Sequence, residues 1–534
     1  MRQSTSEPDG HNAKRQRNDL NNFTPVGPQL SPGLSLEEAH RSSPSPWTKP
    51  TVKTVDNTLL QEWLVNPYKV NPARTAELLS LFFKHVPENA ACMLPEGPFR
   101  AWMLSTSEKS LDDLMLIYTI LTLGTIFSSK PEHKELGVRF SAISRHACDS
   151  RHYSIQLVQA RLILSVYYFA LNQPDEAWDF CGGAMRAASG MKLNVEIDQT
   201  KDATLTTFPF GLNRHGYAEC RRRTFWACYL VDRQNGLGSS HPIGGNSNDV
   251  FLRLPCDSPS FEAQAEVDNV FFDPTTTPHR EIGSTIGVLS YLVNVTAIWG
   301  DVMANIYRIA QSRTPVAGSS KFLAFHNDAT RRLREWRDSL NPCFVFSPEN
   351  LKKAAASGKL GTYITMHTVY HTTWMKLNRY VPTALLNEAQ RAHHLSLAKH
   401  HAEETLKIIN VLAARQPSMP SPEANQTDLY LPRELSSPFA GHAILSAIDI
   451  LTQRVQTAAV PRVLESFHGA QATLVELTVF WHLARLQQAQ VLQRFRELQE
   501  GSTGPTARDT GDGYFEMREP IDQTFPRDYD CIYC

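Results

Sequence analysis

The run Glu219-Cys220-Arg221-Arg222-Arg223-Thr224-Phe225-Trp226-Ala227-Cys228-Tyr229-Leu230-Val231-Asp232-Arg233 decides how the chain is read. Phe225 and Tyr229 lie four apart, as do Trp226 and Leu230, and on a helix that spacing makes one broad apolar and aromatic face that requires burial. Glu219 precedes Arg222 by three residues and Arg223 by four, the order in which an acid supports a helix by about 0.2–0.5 kcal/mol per pair. Asn235, Gly236 and Gly238 stop the helix, and Pro242, Gly244 and Gly245 keep the chain irregular. Asp249-Val250-Phe251-Leu252-Arg253-Leu254-Pro255-Cys256-Asp257 is then expected to be extended up to its proline. The three consecutive arginines admit two readings, a phosphate-contacting patch or internal ion pairing. At helical spacing they point in different directions, which favours pairing, with Glu219 and then Asp232 as the acidic partners or a carbonyl inside the fold.

Outward from that helix the apolar pattern stays helical on both sides. Asn71-Pro72 caps and opens a helix through Leu78, Leu79, Leu81, Phe82 and Phe83. Leu111 to Phe127 is almost continuously apolar and belongs at the centre of a bundle, with Gly124 placed for a close neighbour. Ile155–Phe169 and Glu176–Ala188 form a helical hairpin around Asn172-Gln173-Pro174-Asp175, whose asparagine and aspartate suit capping. Asp198–Arg214 reads as a loop, and Asp257–Pro278 as a second irregular, acidic stretch. Further helices are expected over Ile282–Ile309, Phe322–Leu340, Tyr363–Tyr380, Leu395–Leu412, Phe439–Val455 and Val463–Leu498, with a linker over Gln416–Ser437. No segment alternates with period two as strands do. The fold class is all-α, an array of antiparallel helices over residues 57–500.

The ends differ from this body. Residues 1–56 are rich in serine, proline and asparagine and too poor in large apolar groups to offset the entropy of ordering, so disorder is expected. Within them Lys14, Arg15 and Arg17 form a short basic cluster of the kind read as a nuclear import signal, or a plain solvated charge run. Residues 501–534 interleave acids with Tyr514, Phe515, Ile521, Phe525 and Tyr529, the composition of disordered activation segments or of an ordinary disordered end.

Composition excludes several functions. Of 534 residues 42% are hydrophobic, ample for a core, while Lys+Arg 53 against Asp+Glu 54 leaves a formal charge of −1, so the body has no general attraction for polyanions. The nine cysteines are scattered within apolar patterns and fit reduced thiols. No apolar run approaches the ~18 residues of a membrane helix. His367 and His371 share a helix face but lack the glutamate and third ligand of a catalytic metal site. His393, His394, His400 and His401 read as solvated surface. Cys531-Ile532-Tyr533-Cys534 offers half a zinc site or a prenylation-like end, and a bare terminal coincidence is favoured over both. No phosphate loop or nucleophile elbow is present, so no catalytic residue is assigned.

The arginine helix resembles the middle homology region of the fungal binuclear zinc-cluster transcription factors. The likeness rests on Arg221-Arg222-Arg223, Phe225-Trp226 and Asp232-Arg233, followed by Gly238, Pro242-Ile243, Asp249-Val250 and Leu254-Pro255. It extends to Leu78–Val86, to Ala184–Leu193, to Leu333 and Trp336, and to His367, Tyr370, His371 and Arg379, covering about Asn71 to Ala489. The resemblance implies a regulatory domain without enzyme activity, a nuclear location and a role in RNA polymerase II transcription. Its partners would be the transcription machinery or co-regulator proteins, with room for a small-molecule inducer and a homodimer, and no membrane. Glu219, Arg221, Arg222, Arg223, Phe225, Trp226, Asp232, Arg233, Asp249 and Pro255 are its signature, structural or regulatory in role. The family's zinc cluster needs six closely spaced cysteines. No cysteine precedes Cys92 and no such spacing occurs, so no cofactor is expected in this chain. Either the gene model begins downstream of the cluster, or the protein regulates transcription without reading DNA itself. The competing readings are a co-regulator or helical scaffold working through protein partners, and an enzyme or carrier on the same helices.

Overall fold

Asn71 opens the first long helix by accepting the Arg74 N–H at 3.0 Å, and Pro72 fills the position where a missing N–H costs nothing. The computed structural model describes residues 57–86, 92–150, 152–235, 244–276, 285–311, 319–381, 386–414, 437–452 and 460–500. Its N-terminal helices are α1 (Asn57–Trp63), α2 (Pro67–Val70), α3 (Pro72–His85), α4 (Glu96–Leu104), α5 (Leu111–Ile126), α6 (Pro131–Ser150), α7 (Ile155–Ala170) and α8 (Pro174–Gly190). A capping box between Ser110 and Asp113 starts α5, which is buried on every side from Leu114 to Ile126. Gly124 is where α3 crosses it, since a Cβ there would stand 2.4 Å from the Leu78 carbonyl oxygen. Helices α7 and α8 form the expected hairpin, and Ala184, Ala187 and Ala188 are fully buried in it.

The central helix α9 (Arg214–Asn235) packs against α7 and α8 on one side and against α11 (Val288–Gln311) on the other; the short α10 (Ser258–Glu262) lies between them in sequence. The C-terminal helices follow as α12 (Ser319–Ser339), α13 (Pro348–Ala356), α14 (Leu360–Arg379), α15 (Glu388–Ala413), α16 (Phe439–Thr452), α17 (Val460–Ser466), α18 (His468–Leu477) and α19 (His482–Gln499). Helix α14 is wrapped by α11, α15 and α16, and all but its His371 is buried. Between α18 and α19 the chain turns back, so that Phe480 meets His85 and Phe127 while Trp481 meets Phe127 and Phe169. The described residues contain no strand, only the isolated bridges Val195 with Phe251, Arg253 with Phe271, and Cys256 with Ile286. The fold is all-α.

Several expectations need correction. Asp198–Arg214 is not plain loop but carries three single 3₁₀ turns, Ile197–Gln199, Lys201–Thr204 and Pro209–Gly211. The helix expected from Ile282 begins only at Val288, because Ile286 pairs with Cys256 and Thr285 accepts the Asp257 N–H at 2.7 Å. Gly287 permits that approach, with a Cβ there only 3.1 Å from the Asp257 Cα. The last span, Val463–Leu498, breaks into three helices where Phe480 and Trp481 leave to fill the N-terminal half. Asn172 caps nothing; it takes a left-handed conformation, φ 58°, and turns the hairpin instead. Residues 1–56 and 501–534 lie outside the described residues, with the Lys14, Arg15 and Arg17 cluster, the Cys531 and Cys534 pair, the Gly238 and Pro242-Ile243 turn and the 416–436 linker. Among the described residues no helix is long and apolar enough to cross a membrane.

Candidate functional site

Helix α9 must place three adjacent guanidinium groups, and two of them end inside the protein, Arg221 and Arg223 each 2% exposed. A buried arginine cannot shed its charge, so each brings a carboxylate in with it. Arg221 pairs with Asp202, which also accepts from the Tyr217 hydroxyl at 3.2 Å, and its other end donates to the Lys192 carbonyl at 3.2 Å. Arg222 grips Glu196 with both Nε and Nη2, at 2.9 and 2.8 Å, and reaches Glu219 at 3.2 Å. Arg223 donates Nε to Glu219 at 2.8 Å and Nη2 to the Cys256 carbonyl at 2.7 Å, with its plane over the Phe261 ring at 4.3 Å. Burial works against the charge of Arg222 and Arg223. The Glu196 and Glu219 contacts outweigh it for Arg222, and for Arg223 the Cys92, Glu219 and Cys256 groups do so, holding both above the ordinary arginine value.

The same acids hold the extended segment that follows. Glu219 accepts the Cys256 N–H at 2.9 Å and Glu196 accepts the Arg253 N–H at 2.9 Å, while the Trp226 indole donates to the Arg253 carbonyl at 3.1 Å. Glu219 and Trp226 of α9, with Glu196 from the segment before Ile197, thereby take the place of a neighbouring strand for residues 253–256. Trp226 is fully buried and sits edge-on to Tyr229 and Phe272, and Phe225 is buried beside it. Pro255 is buried and its carbonyl accepts from Ser290 of α11 at 2.6 Å. Asp249 is exposed; only its backbone is used, its carbonyl accepting from Asn194 at 2.8 Å.

Asp232 is not a partner of the triplet. It receives the N–H groups of Gly244 and Gly245, each at 3.1 Å, and lies beside Arg233 at 3.8 Å. Burial raises its pKa, against the opposing effects of Arg233 and the two glycine N–H groups. Arg233 covers the Tyr229 ring at 3.4 Å and donates to the Gly245 carbonyl and Ser247 hydroxyl, and its own carbonyl takes the Trp299 indole N–H at 3.2 Å. The helix thus ends on a second clasp. Sequence reasoning missed Glu196 and Asp202; the signal was an acid set between Val195 and Ile197, where an uncompensated carboxylate would interrupt an apolar pattern.

The histidines also depart from expectation. His401 is buried and not solvated surface: its Nδ1 meets His371 Nδ1 at 2.9 Å and its ring stacks on Trp374 at 4.8 Å. His394 is half-buried and bonds Asn378 at 2.8 Å; His393 and His400 are exposed. His367 bonds the Phe344 carbonyl at 3.0 Å, so His367 and His371 are engaged separately. Among the described residues no three His, Cys, Asp or Glu side chains gather as a metal site.

The arginine helix is neutralised by carboxylates of the same chain inside an all-helical domain. Residues 79–338 match the family model of the fungal specific transcription factor domain. It is similar to an uncharacterized transcriptional regulatory protein of Schizosaccharomyces pombe, 24% identical over 50% of this chain and 29% of the relative. It is also similar to a Zn(2)-C6 fungal-type transcription factor of Fusarium oxysporum f. sp. lycopersici, 23% identical over 63% of this chain and 36% of the relative. A second uncharacterized Schizosaccharomyces pombe transcriptional regulatory protein is 24% identical over 45% of this chain and 36% of its own length. The chain spans about a third of the length of these relatives. No solved structure matches it. The family is one of transcription regulators, not of enzymes.

Proposed function

We propose that this chain is the regulatory body of a fungal transcription regulator that acts in the nucleus on RNA polymerase II transcription, through protein contacts or a small-molecule inducer rather than by gripping DNA. The observation that carries the reading is the disposition of the run of three consecutive arginines in the matched domain: Arg221, Arg222 and Arg223 are each engaged by a carboxylate of the same chain. Counterion release from DNA needs cations that are available to phosphates. Its partners are co-regulators or the transcription machinery, and a second copy of the chain is compatible with the reading. Fusing residues 57–500 to a foreign DNA-binding domain in a fungal reporter strain tests this; the expected result is a change in reporter output in either direction. An abundant, folded, nuclear fusion that leaves the reporter unchanged would sink it and favour a passive scaffold.

A further inference from the structure

Two cysteines face the guanidinium of Arg223. Cys92 is half-exposed, and its Sγ accepts from Arg223 Nη1 at 3.1 Å. Cys256 is 2% exposed, and its backbone is held by the same clasp, its carbonyl taking Arg223 Nη2 at 2.7 Å and its N–H donating to Glu219 at 2.9 Å. The segments that bear them run side by side: just after Cys92, the Glu96 and Gly97 N–H groups donate to Glu262, just after Cys256, at 2.6 and 3.0 Å. A solvent-reachable sulfur beside a fixed guanidinium is in the electropositive setting where thiols act as nucleophiles, and a second cysteine held by the same guanidinium is a candidate to resolve an oxidised thiol as a disulfide.

We propose that Cys92 and Cys256 are a peroxide-responsive pair, Cys92 the sulfur attacked and Cys256 the resolving thiol, whose oxidation joins the start of α4 to the extended segment held by α9. In the first step the Cys92 sulfur attacks a hydroperoxide: an S–O bond forms, the O–O bond breaks, the sulfur is oxidised and the peroxide leaves as water or an alcohol carrying the thiol proton. In the second the Cys256 sulfur attacks the sulfenic sulfur, the S–O bond breaks and hydroxide departs as water with the Cys256 proton, for which Glu219 is the adjacent acceptor. Two thiols and one peroxide give one disulfide. Closing the disulfide brings the sulfurs to about 2.05 Å and replaces the Cys92 thiol that now accepts from Arg223 Nη1. This inference is independent of the transcriptional reading.

The test treats the full chain with hydrogen peroxide, blocks remaining thiols with N-ethylmaleimide, digests without reductant and examines the peptides by mass spectrometry. The expected product is a Cys92 to Cys256 linked peptide, lost after dithiothreitol and absent from Cys92→Ser, a variant at a half-exposed position whose melting temperature is measured alongside. In Cys256→Ala, the expected product is Cys92 oxidised further, to sulfinic acid. Both cysteines recovered as maleimide adducts after the exposed Cys343 has been oxidised would overturn the proposal. So would Cys92 linked to any other cysteine, or Cys92 sulfinic acid without the linked peptide in the unmutated chain.

Discussion

Around α9, three arginines leave water together with three carboxylates; between α14 and α15, His371 and His401 meet each other and aromatic rings, with no carboxylate paired to them. The difference lies in what each group does when desolvated. Arginine keeps its charge, so its burial dictates which distant segments must come along, and Glu196, Asp202 and Glu219 are drawn in from two stretches of chain. Histidine can surrender its proton, and burial takes that course: His401 is pushed down to about 3 by burial and then by His400 and Arg337, and His371 is pushed well below its ordinary value by burial and then by His401, His367 and His400. The first network specifies topology. The second leaves the fold open to acid.

The sharpest way to break this comparison is to empty the first network. Trp226→Ala, at a fully buried indole that also bonds the Arg253 carbonyl, is expected to cost about 3–5 kcal/mol in chemical denaturation. A mutant with an unshifted midpoint would mean the indole is not part of the core. Arg223→Ala strands the Cys256 carbonyl and leaves Glu219 with Arg222 and the Cys256 N–H, and loss of one member of a buried pair typically costs about 3–5 kcal/mol. Glu219→Gln in that background should cost less than it does alone, with a coupling of about 0.5–3 kcal/mol in a double-mutant cycle. Zero coupling, together with altered reporter output at normal abundance, would make the arginine a recognition group.

For the histidine network the expected effect is a slope. Folded-state values below the ordinary 6.5 mean that, as pH falls from about 6.5 towards 3, the unfolded chain takes up protons that half-buried His371 and buried His401 refuse, so stability drops by up to about 1.4 kcal/mol per pH unit for each. Urea midpoints measured between pH 7 and 5 should fall, and His401→Phe, which keeps a ring on Trp374, should flatten the fall; an unchanged slope would place the acid sensitivity elsewhere. The smallest effect is expected from Arg331→Ala, whose partners Asp328 and Glu335 are also exposed; its melting temperature should match the parent's. A clear loss there would show that exposed pairs do as much as the buried ones.

The helices were legible because their apolar spacing repeats over long spans, and α5, apolar on all sides, could only be central. The pairing of Glu219 with Arg222 and Arg223 was legible because it is local, three and four residues apart on one helix. Glu196 and Asp202 were not, since nothing in a single sequence says which loop will lie against α9 once the chain has folded. The same blindness to tertiary contact misplaced Asp232, whose nearest ligands proved to be the backbone N–H groups of Gly244 and Gly245, and sent His401 to the surface, because its helix is polar around it. Ile286 likewise looked helical by type and spacing, and its pairing with Cys256 is a contact made only in three dimensions.

The return of Phe480 and Trp481 to His85, Phe127 and Phe169 bears on where this protein can be cut. The span matched to the family ends at residue 338, yet the aromatic plug of its N-terminal half is delivered by residues far beyond that point. Sequence likeness and mechanical integrity therefore have different edges. A protease nick between α18 and α19 would act like drawing a cork: two rings would leave the first half of the body, and the helices they seal would be expected to exchange their amide hydrogens faster although every bond of the arginine helix stays in place.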